Sequence, residues 1–103
     1  MLHDLGDLNG ARTQHEHALR ISEAALGPDH PTTGIRRSNL GMVLRALGDL
    51  NGARTQYEQA LRIGEAALGP QHRQTLAIRT ALEGLPPAAP ESAERLAHRK
   101  DQP

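Results

Sequence analysis

Six histidines are the residues of this sequence whose chemistry could bind a metal ion or transfer a proton. His15 and His17 lie two positions apart, and on a helix that spacing directs their imidazoles to different faces. His30 and His72 occupy equivalent loops of two repeated segments, which a stacked array holds apart. No carboxylate accompanies them at metal-ligand spacing. We therefore predict no metal site, and we predict that His15 is a hydrogen-bonded histidine packed in the core.

Serines, histidines and carboxylates are present without any pattern that would organise them for catalysis. No serine lies in a strand-to-helix nucleophile turn, and no glycine-rich phosphate loop follows a strand. The sequence therefore predicts that the protein is not an enzyme and needs no cofactor.

The composition argues against several other classes of protein. Twelve basic and 12 acidic residues give a formal charge of zero, whereas nucleic-acid binding usually requires a basic excess. Tyr57 is the only aromatic residue, so base-stacking surfaces are absent too. There is no cysteine, no apolar run of membrane-spanning length and no signal-peptide pattern. We expect a cytoplasmic protein that binds neither nucleic acid nor membrane, and the abundance of Arg, Ala and Gly is typical of bacterial coding sequences.

An internal repeat supplies the elements that must position any site. The decapeptide LGDLNGARTQ occurs at residues 5–14 and returns at residues 47–56, after 42 residues. The match extends without a gap over residues 5–30 and 47–72, which differ at four of 26 positions. A repeat of this period indicates stacked supersecondary units that bury their apolar faces against one another.

Each unit is predicted to be helical, because apolar residues recur at helical spacing in both copies. Gly-Pro pairs after Leu26 and Leu68 are typical helix ends. Pro31 suits the first turn of a helix, and Asp49 suits an N-cap. The sequence thus predicts an all-α chain with helices at about 1–6, 8–26, 31–47, 50–68 and 72–84, and a Pro-rich, mostly disordered tail at 85–103.

The stretch SNLGMVLRALGDLNGARTQYEQAL resembles the tetratricopeptide repeat. The matching small and large positions are Leu40, Gly41, Leu44, Gly48, Ala53, Tyr57 and Ala60. The usual unit has about 34 residues, whereas this one has 42 and ends in a loop of the LGPDHP type, which is similar to the kinesin-light-chain type of repeat. The resemblance covers residues 1–84. It implies antiparallel helix-turn-helix repeats stacked as a short right-handed solenoid, with one complete unit between two partial ones.

The resemblance also implies a function, which is to bind a peptide or protein in a concave groove lined by the first helix of each unit. The candidate peptide-binding residues lie opposite the Leu stripe of the 31–47 helix and are Ile35, Ser38, Asn39, Met42 and Arg45. Asn39 falls where family members often carry an Asn that holds a peptide backbone, and an amide suits that role because it both donates and accepts. The alternative is an ordinary polar surface residue.

Two further alternatives concern charge and assembly. Arg36, Arg37 and Arg45 form either a solvated face with local pairs or a basic rim for an acidic peptide. The incomplete first unit leaves the apolar face of the 8–26 helix only partly covered. An alternative function is therefore self-assembly, with homo-oligomers formed through the N-terminal end around a two-fold axis.

Overall fold

A computed structural model describes residues 5–87, which form four helices and no strand. The helices are α1 (Leu5–Leu26), α2 (Pro31–Ala46), α3 (Leu50–Ala67) and α4 (Arg73–Glu83). Substantial contacts join α1 with α2, α2 with α3 and α3 with α4. The predicted all-α helical repeat is therefore confirmed. No helix in this part of the chain has the length and hydropathy needed to cross a membrane.

The loops after α1 and α3 end and restart the helices in the same way in both copies. Gly27 and Gly69 have φ of 96° and 97°, a region that strains residues with a side chain, so glycine suits both helix ends. Nδ1 of His30 and of His72 each accepts a hydrogen bond from the backbone N–H two residues later, at 3.0 and 3.1 Å. The two loop histidines are therefore N-caps of α2 and α4.

The repeated decapeptide adopts two different structures. In the second copy, Gly48 has φ of 88° and Asp49 caps α3 by accepting a hydrogen bond from the N–H of Gly52 at 2.9 Å. In the first copy, the same letters form a continuous helix from Leu5 onward. A turn is needed only where a preceding helix packs back on the next one, as α2 does on α3.

The predicted break between a stub at 1–6 and a helix at 8–26 is therefore wrong for the described residues. No described helix precedes α1, so nothing draws the chain into a turn at Gly6 and Asp7. Residues 1–4 of the predicted stub lie outside the described part of the chain.

The core is centred on the contact between α2 and α3. Its buried apolar members are Leu19, Leu40, Leu44, Ala53, Tyr57, Ala60, Ile78 and Leu85. The Tyr57 ring lies against the backbone of Gly41, where an added Cβ would lie only 3.1 to 3.2 Å from three ring atoms. Seven residues earlier, a Cβ at Gly34 would lie 3.0 Å from Cγ2 of Ile63. These two glycines let the helices approach closely enough to bury the only aromatic side chain.

The segment after α4 also contributes to the core, which corrects the prediction that a polar tail begins at residue 85. Leu85 is buried in the core cluster, and the Arg54 side chain donates a hydrogen bond to the carbonyl of Pro86. The prolines predicted the end of the helix but concealed the apolar residue just before them. Residues 88–103 of the predicted tail lie outside the described residues.

The contact between α1 and α2 contains a pair of buried hydroxyls. Ser22 Oγ lies 2.9 Å from Thr33 Oγ1, and Thr33 donates to the carbonyl of Gly27 at 2.7 Å. Because Thr33 has only one hydroxyl proton, Ser22 is the donor within the pair. At the equivalent contact of α3 with α4, Gly64 replaces Ser22, and the buried Oγ1 of Thr75 has no hydrogen-bond partner among the described residues.

This difference predicts that two threonines at equivalent positions contribute unequally to stability. We expect Thr33→Val to lower the free energy of unfolding by about 1–2 kcal/mol, because it leaves two polar groups without partners. The matched change Thr75→Val removes a hydroxyl that is already unpaired, so it should leave stability unchanged or raise it. Chemical denaturation of both variants measures the difference. Equal losses would contradict the hydrogen-bond assignment.

Candidate peptide-binding face

The five predicted peptide-binding residues lie on one outward side of α2. The opposite side of this helix is buried through Thr33, Gly34, Leu40, Gly41 and Leu44. Met42 is 56% exposed, Arg45 is exposed, and Ile35, Ser38 and Asn39 are half-buried. The structure thus brings all five onto a single surface, the α2 outer face. That this face binds a peptide stays a prediction.

The equivalent face of α4 is chemically different from the α2 outer face. Ala77, Thr80 and Ala81 stand at the positions of Ile35, Ser38 and Asn39 in the repeat. Ala77 and Thr80 are exposed and Ala81 is half-buried. Among the described residues, the candidate backbone-binding amide of α2 therefore has no counterpart on α4.

Arg37 does not belong to a basic rim, because both arms of its guanidinium are used inside the fold. One nitrogen binds the Glu23 carboxylate of α1 at 2.9 Å, and the other donates to the Gln56 side chain of α3 at 3.1 Å. We call this arrangement the arginine bridge. It ties three successive helices together and leaves Arg36 and Arg45 as the exposed cations of α2.

Sequence reasoning missed the arginine bridge, although a signal was present. After residue 30 the two copies diverge, yet Arg37 is matched by Arg79. Arg79 binds Glu65, the equivalent of Glu23, at 3.0 Å. An Arg that persists where the repeat decays, together with a Glu kept in both copies, indicates an ion pair between the helices that carry them.

A second concave region lies between the α1–α2 loop and the second half of α3. This cavity has a volume of about 550 Å³ and is lined by Pro28, Asp29, Arg37, Gln59, Arg62, Ile63 and Ala66. Two of its lining residues, Asp29 and Arg62, carry opposite charges, and both are exposed. Sequence reasoning missed the cavity because it depends on how the loop lies over α3.

The histidines are placed differently from the sequence prediction. His15 is half-buried rather than packed in the core, because no described helix covers this part of α1. His17 is exposed, and His30 and His72 cap helices through Nδ1. Within residues 5–87, no three His or carboxylate side chains come close enough together to hold a metal ion.

The pKa of Tyr57 depends on the burial of its ring and on the charge of Arg45, which belongs to the α2 outer face. Burial raises the pKa of Tyr57 above its usual value of 10.0, because the phenolate would lose hydration, and the nearby Arg45 cation partly offsets this by favouring the phenolate. The folded protein therefore holds the phenolic proton more tightly than the unfolded chain does.

This raised pKa predicts a loss of stability at alkaline pH. Below about pH 10 the phenol is protonated in both states and stability is unaffected, whereas above it the unfolded chain ionises first and stability falls. Absorbance titration follows the single aromatic residue directly, and denaturation against pH measures the loss. In Tyr57→Phe, the part of the decline due to this group should disappear. An identical decline in both proteins would contradict the prediction.

Comparison with known proteins agrees with this architecture. A family model described as tetratricopeptide repeat matches residues 1–65 and 36–83. A search of curated proteins found no match, and a search of solved structures found none either. Contacts between successive helices and small residues at their close approaches fit the matched family. The chain belongs to the tetratricopeptide repeat family.

Proposed function

We propose that this chain is a non-catalytic interaction module that binds an extended peptide segment of a partner protein along the α2 outer face. Tetratricopeptide repeats generally mediate protein–protein interaction, and members of the family are typically scaffolds rather than enzymes. The observation that carries the proposal is the exposure of Met42 beside the half-buried Asn39. An apolar contact and a backbone-binding amide therefore lie within one helical turn of each other.

The chemistry of the α2 outer face defines the proposed ligand. Met42 is unbranched and polarisable, so it adapts to apolar side chains of different shapes. The Asn39 amide donates to and accepts from one peptide bond. The exposed Arg45 attracts a carboxylate through a charge-assisted hydrogen bond. The ligand is thus an extended peptide with an apolar side chain and an acidic neighbour.

We also infer that the repeat is of the long, kinesin-light-chain-like type and belongs to a cytoplasmic, bacterial protein. The 42-residue period and the Gly-Pro loops at 27–28 and 69–70 support the repeat type. The Arg-rich and Ala-rich composition supports the bacterial origin.

The amide of Asn39 provides a direct test of the proposed function. A peptide selected from a random library on the wild-type chain serves as the probe, and calorimetry measures its affinity. Asn39→Ala should weaken binding by on the order of 1 kcal/mol, or about fivefold, because one hydrogen bond is lost. Helicity and unfolding should be unchanged, because Asn39 is not in the core.

Asn51→Ala is the matched control, because Asn51 is exposed and lies at the start of α3 rather than on α2. Its affinity for the same peptide should equal that of the wild type. An unchanged affinity in Asn39→Ala, or an equal loss in both variants, would remove the α2 outer face as the binding site.

A further inference from the structure

The surfaces that α2 and α3 bury against each other have equivalents on α4 and α1, and on these two helices the described structure leaves them without a packed neighbour. On α3, the side that α2 covers is buried and includes Ala53, Tyr57, Ala60 and Ile63. The equivalent residues on α1 are Ala11, His15, Ala18 and Ile21. The first three are half-buried and Ile21 is 55% exposed. In the described structure, α1 therefore presents to solvent the kind of surface on which α3 holds a helix.

A groove marks this surface. It has a volume of about 350 Å³ and is lined by Ala18, Ile21, Ser22, Ala25, Leu26, Thr32 and Arg36. We call this region the α1 groove.

The outer side of α4 presents the complementary surface. α4 is equivalent to α2, and Thr75 and Ile78 are its buried residues. The two α2 glycines that contact α3 correspond to Leu76 and Glu83 in α4. Leu76 is 39% exposed and Glu83 is exposed. Among the described residues, α1 is the second helix of a unit whose first helix is not described. At the other end, α4 is the first helix of a unit whose second helix is not described.

The residue exchanges at the two ends compensate each other. Inside the chain, Gly41 opposes the Tyr57 ring. Across two copies, the equivalent pair would be Glu83 and His15. The smaller imidazole makes room for the larger carboxylate side chain, and an imidazole N–H donates to a carboxylate oxygen.

The second glycine contact becomes an apolar pair. Gly34 opposes Ile63 inside the chain, and the equivalent residues at the two ends are Leu76 and Ile21. These are two of the four large apolar side chains that the described residues expose. Their joint volume sets a wider helix spacing than that between α2 and α3, and their contact removes both from water.

The arginine bridge gives a third, independent sign of the same pairing. Arg37 binds Glu23 of the preceding helix and Gln56 of the following one. Arg79 makes the first of these contacts, with Glu65, and no described helix follows α4 to supply the second. Gln14 is the equivalent of Gln56 and is exposed on α1. A second copy would therefore supply the amide that completes the bridge.

From these complementary ends we propose that α4 of one copy packs into the α1 groove of a second copy and completes a helix-turn-helix unit across the interface. The pairing is head-to-tail, because the two contacting surfaces are different. Each copy keeps one free groove and one free α4, so the assembly grows until a ring closes or a filament forms.

Two interface variants test the pairing, because they block opposite ends. Ile21→Glu places a charge in the α1 groove, and Leu76→Glu places one on the outer side of α4; both positions are exposed, so the fold should persist. In light scattering over a concentration series, the wild-type mass should rise above the 11.1 kDa monomer. Each variant alone should associate about tenfold or more weakly, because the apolar contact between Leu76 and Ile21 is lost and a carboxylate is buried in its place. Ala67→Glu, an exposed α3 position, is the matched control and should behave as the wild type.

Mixing the two variants separates head-to-tail pairing from the two-fold arrangement. Ile21→Glu keeps an intact α4, and Leu76→Glu keeps an intact α1 groove, so an equal mixture should form dimers of twice 11.1 kDa and nothing larger. Full association by Leu76→Glu alone would show pairing of two α1 grooves and overturn the proposal. A wild type that stays monomeric at every concentration would also overturn it.

A charge exchange keeps the proposal testable if either glutamate variant unfolds. Glu83→Lys should weaken association, and adding His15→Glu should restore at least part of it, because the introduced lysine and glutamate form an ion pair across the interface. A double variant no better than Glu83→Lys would contradict the assigned register.

Discussion

The packing of the Tyr57 ring on the backbone of Gly41 is the contact on which the rest of this structure depends. Tyr57 is the only aromatic residue, so no other side chain supplies a comparable buried ring. It is 1% exposed, and glycine at position 41 is what lets α2 come close enough to cover it. The same approach brings Arg37 within reach of α1 and α3. It also fixes which side of α2 is buried, and therefore which side is available to a partner.

Much of the fold could be predicted because the sequence contains two copies of the same helical segment. Helical spacing, the Gly-Pro loops and the 42-residue period identify the units and their order. The decapeptide shows where this reasoning ends, because identical letters turn at Gly48 and remain helical at Gly6. Local propensity permits both outcomes, and the presence or absence of a packed neighbouring helix decides between them. The burial of His15 and of Leu85 was predicted wrongly for the same reason. Burial depends on which surfaces pack together, and the sequence alone does not specify that.

The position of the candidate residues on α2 could be predicted from the sequence, but the partners of the neighbouring Arg37 could not. Opposition to the Leu stripe placed Asn39 and Met42 on the outward side of α2, where the structure also has them. The role of Arg37 could not be inferred from its own helix, because its partners lie on the helices before and after it. Two kinds of surface thus coexist in this small chain. The α2 outer face is the candidate peptide surface, whereas the α1 groove and the outer side of α4 are the surfaces proposed to pair with a second copy.

The central claim, that a missing side chain at Gly41 allows the core to form, is tested most directly by comparing two Gly→Ala changes in chemical denaturation. At Gly10, on α1, an added Cβ meets nothing within 4 Å, so Ala should raise the free energy of unfolding by up to about 1 kcal/mol through helix propensity. At Gly41 the new methyl group meets the buried Tyr57 ring at 3.1 Å, and crowding of about 1–3 kcal/mol should outweigh the same gain. A fall in stability for Gly41→Ala alongside a rise for Gly10→Ala is the predicted result. Equal stabilisation of both variants would contradict the account.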